Sequence, residues 1–241
     1  MGIIQKLRQS YRGTLTVRDT ALFLRATTPR PETPVAMWKP RPKSFVATSR
    51  ALYAWIRLGL EWDEPVRVST RDRVVTFEDL VRLRMIALLR ARGLRYAAIR
   101  NAERYARELT GLPQPFVSEA LWTAVSDVFM RFQDHLLSIT REGQFAFPLE
   151  TLRDFLTPVY HGLSFDAQGS AEVWSPRRGV TIDPEIQFGA PCVTGTRIET
   201  EALWSFKEAG ETPASLARLY RLKIEQVDAA LEWEQDVSLA A

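Results

Sequence analysis

The apolar positions of the chain recur mostly at helical spacing, and the polar residues between them mark where helices begin and end. Thr16 stands three residues before Asp19, a variant of the capping box, ahead of the apolar residues Val17, Ala21, Leu22 and Leu24. This predicts a short helix ending near Arg25, preceded by a polar arm over residues 1–15. Thr48 or Ser49 caps a second helix over about 50–58, with Ala51, Leu52, Trp55, Ile56 and Leu58 as its apolar residues and Gly59 as its stop. Two β-like runs, Val66-Arg67-Val68 and Arg73-Val74-Val75-Thr76, flank the polar turn Ser69-Thr70-Arg71-Asp72 and predict a hairpin. Thr76 and Asp79 repeat the capping pattern and open a helix to about Ala91. The next helix, about Arg95 to Leu109, carries the stripe Ala98, Ile99, Ala102, Tyr105, Ala106 and Leu109, with Arg100, Glu103, Arg104, Arg107 and Glu108 assigned to its polar side.

Between the first two helices, residues 28–42 hold five prolines, which remove donors and disfavour helix, so this stretch is expected to be an extended loop. Residues 112–176 predict a small β-rich connector. The runs 121–125, 127–132, 135–139 and 144–147 fit strands, and 148–156 fits a short helix. Residues 162–165 and 171–174 are expected to pair around Asp166-Ala167-Gln168-Gly169. From Arg177 the glycine and proline density predicts a tightly turned loop rather than strand or helix. Three helices follow: Glu199 to Ala209, ended by Gly210; a second capped by Thr212 with Pro213 behind it; and a third after Leu222-Lys223, with Ile224, Val227, Ala230 and Leu231 on one face. The fold class is therefore mainly α with small β elements, in three parts: 12–111, 112–176 and 177–241.

Charge sharpens this division. Residues 1–120 carry 22 Lys and Arg against 11 Asp and Glu; residues 121–241 carry 10 against 18. A basic half and an acidic half either serve nucleic acid and a second partner, or neutralise each other within the molecule. On the helix over 50–58, Arg50, Tyr53 and Arg57 recur at i, i+3 and i+7 and share one side, with Ser49 before them and Lys43 on the approach. Arginine reads guanine edges bidentately and also reaches phosphate, so this face is either a major-groove reader or a solvated surface. Arg67, Arg71 and Arg73 sit on the hairpin, which in a winged helix-turn-helix would be the wing, with phosphate rather than bases as its contact. The single cysteine, Cys192, excludes an intrachain disulfide and fits a reducing cytoplasm; with two histidines, His135 and His161, it makes no dedicated zinc set. No cofactor is expected, and no apolar run reaches the roughly 18–20 residues of a membrane span. No carboxylate cluster, nucleophile–histidine pair or phosphate-cradling loop stands out, so the chain reads as non-catalytic.

Two helices, a hairpin and two more helices is the order of a winged helix-turn-helix. The residues Leu15 to Leu24, Leu52-Tyr53-Ala54-Trp55-Ile56-Arg57 and Thr76 to Leu83, continuing through Ile86, Leu89 to Leu94 and Ile99, resemble the DNA-binding domain of MerR-like regulators. The departure is the connection over 26–47, far longer than the roughly three or four residues of such a turn. At the other end, Asp183-Pro184-Glu185-Ile186, Gly189, Pro191, Gly195-Thr196-Arg197-Ile198, Gly210, Leu216, Leu222, Val227 and Ala230-Leu231 resemble the domain of unknown function 433, over about 180–235. Cys192 and Ala190 depart from the residues usual there. The combination resembles a VapB-type antitoxin. That resemblance implies a homodimer that binds operator DNA, neutralises a toxin of the PIN ribonuclease family and represses its own operon. Arg177, Arg178 and Arg197 are the candidate partner-binding residues. A ligand-responsive MerR-like regulator is the alternative.

Overall fold

The computed structural model describes residues 13, 15–28, 47–57, 74–91, 96–112, 114–119 and 162–241. The architecture is mainly helical with small antiparallel sheets. Contacts divide the chain into two compact units: Met1–Thr28, Val46–Leu80 and Glu172–Ala241 form the first, and Pro29–Phe45 with Val81–Ala171 the second.

In the first unit, strand β1 (Leu15–Thr16) leads directly into helix α1 (Val17–Thr27). Thr16 is the N-cap: its hydroxyl oxygen accepts from the Asp19 N–H and donates to the Asp19 carboxylate. Helix α2 is Ser49–Arg57, and strand β2 is Val74–Val75. β2 pairs antiparallel with β1, Leu15 opposite Val75 and Thr16 opposite Val74. The polar arm assigned to 1–15 therefore ends too late, because Leu15 is buried and hydrogen-bonded into a sheet. Gly13 is buried as well, at φ +68°, where a Cβ would come within 3.2 Å of Pro184. The run Val66-Arg67-Val68, assigned to the hairpin, lies outside the described residues. α1 buries Val17, Thr20, Ala21, Phe23 and Leu24 and packs against α2.

The rest of this unit is the C-terminal module. Strands β4 (Ala171–Arg177), β5 (Val180–Ile182) and β6 (Pro191–Val193) run antiparallel in that order, so the expected loop from Arg177 onward is in part a sheet. Proline does not prevent this: Pro191 is the first residue of β6, where a missing ladder donor is tolerated. After β6 the chain folds back, with the Val193 N–H donating to the Ile198 carbonyl and the Thr196 hydroxyl to that of Val193. Helices α5 (Thr200–Glu208), α6 (Pro213–Tyr220) and α7 (Ile224–Leu239) follow. Thr212 caps α6, accepting from the Ser215 N–H. Val193, Leu203, Leu216, Val227, Ala230 and Leu231 form their common core. α7 reaches beyond it to α1, where Phe23 and Trp233 meet with ring centroids 5.5 Å apart. Gly179, in the β4–β5 turn, lets the backbone come close to α7: a Cβ there would lie 2.8 Å from that of Ala229.

Helix α3 (Phe77–Ala91) is capped as the sequence indicates. The Asp79 N–H donates to Thr76 Oγ1, and the Asp79 carboxylate accepts from the Thr76 N–H. The division between units falls after its first turn. Every residue from Val81 to Leu89 is buried, Arg82 and Arg84 included. In the second unit helix α4 (Tyr96–Thr110) corrects the assignment of Glu103 to a polar face. Glu103 is buried against Arg82, whose Nε lies 2.5 Å from its Oε1 with both side chains 3% exposed. Arg100, Arg104 and Glu108 are exposed as expected. Strand β3 (Leu163–Phe165) enters a turn held by Asp166, whose carboxylate accepts from the Gln168 and Ser170 N–H groups. The candidate strands over 121–147, the helix over 148–156, His135 and His161 lie outside the described residues. Among the described residues, no helix is long and apolar enough to cross a membrane.

Candidate functional site

The candidate DNA-reading face is built on α2. Thr48 caps it, its hydroxyl oxygen accepting from the Ala51 N–H at 3.1 Å. Leu52 is fully buried and Trp55 nearly so, which anchors the helix on one face. Arg50 is exposed and Tyr53 is 39% exposed, three residues apart on the outer face; Ser49 is half-buried. The nine residues of α2 contain no carboxylate. A helix with no carboxylate in its first turn and an arginine and a phenol on its free side can approach phosphate or base edges without repulsion. Arg57 is the last residue of α2, but its side chain lies outside the described residues, as do Lys43, Arg67, Arg71 and Arg73. Of the eight DNA-binding candidates, the described structure thus brings together Ser49, Arg50 and Tyr53.

The three arginines of the C-terminal module separate by environment. Arg177, 32% exposed, is held within the chain: Nη2 lies 2.6 Å from Glu232 Oε2 and Nη1 2.9 Å from Asp236 Oδ2. Arg178 is exposed in the β4–β5 turn, and Arg197 is exposed beyond β6. The backbone carbonyl of Arg197 accepts from Gln187 Nε2, clipping its turn to the preceding loop. Asp183 caps its own turn, its carboxylate accepting from the Glu185 N–H at 2.8 Å.

Three features of this module escape the sequence pattern. Gln187 and Phe188 hold left-handed backbone at φ 46° and 57°, uncommon for residues with a Cβ, and Phe188 is 46% exposed. Cys192 is buried, and burial, then the Glu199 carboxylate, pushes its thiol up to about 11, so it stays protonated and unreactive near neutral pH. Glu234 is largely enclosed and accepts from the buried Thr200 hydroxyl. Burial raises its carboxyl above the ordinary range, the Thr200 hydrogen bond opposes that, and Glu201 adds to it.

Comparison with known proteins bears on the module and on the fold. Residues 180–233 match the family model DUF433, a protein of unknown function. The C-terminal module is therefore similar to that family, from β5 to Trp233 of α7. The crystal structure of Rv2018 from Mycobacterium tuberculosis is similar over 90% of this chain and 96% of that one, with a TM-score of 0.66 at 17% identity. At that identity the likeness concerns the fold. No curated protein matches the chain.

Proposed function

We propose that the chain is a DNA-binding antitoxin of a type II toxin–antitoxin module. It neutralises a PIN-family ribonuclease toxin and represses its own operon, as a cytoplasmic homodimer without cofactor or catalytic activity of its own. The observation that carries the DNA-binding part is the exposed Arg50–Tyr53 face of α2, anchored by buried Leu52 and Trp55. The basic excess of residues 1–120 and the MerR-like sequence pattern support it. The antitoxin part rests on the VapB resemblance, with the DUF433 match as its firmest element. In this reading α2 reads operator bases, Arg67, Arg71 and Arg73 steady the duplex through phosphate, and the C-terminal module serves the protein partner.

Co-expression of the chain with the product of the adjacent open reading frame tests the proposal. The expected result is a complex that survives purification, a neighbour toxic alone and harmless together, and sequence-selective binding to the upstream DNA. A harmless neighbour that fails to co-purify would overturn the antitoxin reading. If operator affinity instead responds to a small molecule, the ligand-responsive regulator takes its place.

A further inference from the structure

The acidic C-terminal module is not uniformly acidic. Residues 199–241 hold nine carboxylates and four basic residues, and the four are Lys207, Arg218, Arg221 and Lys223. All four are exposed, and three fall within six residues at the junction of α6 and α7. The α7 residues Glu225, Asp228, Glu232 and Asp236 are exposed as well, and Arg177 already engages the last two. The module therefore has an acidic helix partly neutralised within the chain, and, adjoining its first turn with Glu225, a basic corner.

That corner is also apolar. Leu216, Ala217 and Tyr220 of α6 are spent on the core, which leaves Leu219 on the far flank, 62% exposed. The helix cannot roll to cover it. Arg221 sits in left-handed backbone at φ 55°, and the Leu222 N–H bonds the Ala217 carbonyl, which fixes the end of α6. Phe206, 42% exposed, meets the Tyr220 ring edge-on with centroids 6.1 Å apart, and Ile224, 40% exposed, opens α7. A single exposed leucine is ordinary; one set among three exposed cations in one short stretch, on the helix whose other flank carries the Phe206–Tyr220 pair, is an organised surface. Phosphate would attract the cations but would gain nothing from Leu219, whereas a protein cleft with an apolar floor and a carboxylate rim complements both.

We infer that the α6–α7 corner docks a partner protein whose binding cleft is apolar and rimmed by acidic side chains. Leu219 is the inserted anchor, and Arg218, Arg221 and Lys223 match the rim. This rests on the antitoxin reading, under which the partner is the toxin. The anchor governs how long the complex lasts, and the rim charges govern how fast it forms and how salt weakens it.

The test uses the full chain and the purified neighbouring gene product, with Leu219→Glu, the double variant Arg218→Glu/Lys223→Glu, and Asp228→Lys on exposed α7 as control. Because the altered residues are exposed, melting temperatures should match wild type. Leu219→Glu is expected to weaken the complex about tenfold or more. The double variant should slow association and flatten its salt dependence, and Asp228→Lys should leave affinity within about twofold. If wild type binds its neighbour and both corner variants bind equally tightly, the inference falls while the antitoxin reading stands. If wild type does not bind, both fall together. Loss of operator affinity with partner affinity intact would reassign the corner to nucleic acid, and a switch from dimer to monomer with partner affinity intact would reassign it to self-association.

Discussion

Helices α2 and α7 present the same construction with opposite charge. Both lay an apolar face against the first unit's α1. α2 uses Leu52 and Trp55 for this purpose, and α7 uses a longer row, Val227, Ala230, Leu231, Trp233 and Val237, for α1 and its own module together. Outward, α2 carries Arg50 and Tyr53 with no carboxylate, whereas α7 carries Glu225, Asp228, Glu232 and Asp236 with no base. Packing alone would not distinguish them. The sign of the outer face does, because phosphate attracts one helix and repels the other. The two helices share a scaffold and differ in the sign of charge they present.

The largest expected effect comes from breaking the scaffold. Trp233 is almost fully buried and meets Phe23 across the α1–α7 contact. Trp233→Ala should cost about 3–5 kcal/mol of stability, read from denaturant unfolding of the full chain. A cost below about 1 kcal/mol would mean that α1 is held without α7, and the likeness between the two helices would reduce to α2 alone.

The charged face of α2 comes next. Arg50→Ala should weaken operator binding by about 1–3 kcal/mol, measured by titration of a labelled duplex, and leave the melting temperature unchanged. If unrelated DNA loses the same factor, Arg50 holds phosphate and the base-reading role passes elsewhere on the helix. The same substitution logic on α7 predicts the reverse: Asp228→Lys should strengthen DNA binding slightly or leave it unaltered, since it removes repulsion from a face that makes no such contact.

Local chemistry was legible in the sequence, and distant pairing was not. The caps Thr16–Asp19, Thr76–Asp79 and Thr212–Ser215 each close within four residues, so the residues themselves announce them. The exposed Arg50 and Tyr53 follow from helical spacing alone. By contrast, Glu103 lay on the polar side of its helical pattern and is buried because Arg82, on another helix, supplies its counter-charge. Val74–Val75 read as half of a local hairpin whose other run lies outside the described residues, and nothing near them in sequence points to their pairing with Leu15–Thr16. Strands β5 and β6 were masked by surrounding glycine and proline, whose turns bring them together rather than prevent them. The ion pairs of Arg177 belong to the same class: nothing near Arg177 in sequence points to Glu232 or Asp236.

α7 differs from α2 in a second respect, for one of its carboxylates is turned inward. Glu234 is largely enclosed, with Thr200 as its hydrogen-bond donor and Glu201 as a nearby like charge. Its folded-state pKa is raised above the ordinary 4.5, chiefly by burial. The folded chain therefore binds more protons than the unfolded one between these two values. The sign follows: this stability is fully present below the unfolded pKa and is lost as pH rises through the folded one. Glu234→Gln can still accept from Thr200 but does not ionise, so its melting temperature should fall less than that of wild type as pH is raised from about 4.5 to 7. Parallel pH profiles would remove Glu234 as the source.

The smallest effect is expected where α7 is neutralised from within the chain. Arg177 reaches Glu232 and Asp236 at once, but the two carboxylate side chains are 59% and 53% exposed, so water screens both pairs. Glu232→Gln with Asp236→Asn should therefore cost less than about 1 kcal/mol, and that difference should shrink as salt is added. The change frees Arg177 while stripping two charges from the acidic face, which makes it a test of function more than of stability. If the acidity of α7 is what keeps nucleic acid away from the module, the double variant should raise affinity for unrelated duplex DNA at low salt while operator selectivity falls. If binding to unrelated duplex is unaffected, the acidity of these two positions has no part in the contrast with α2, and Arg177 serves only to fasten β4 to α7.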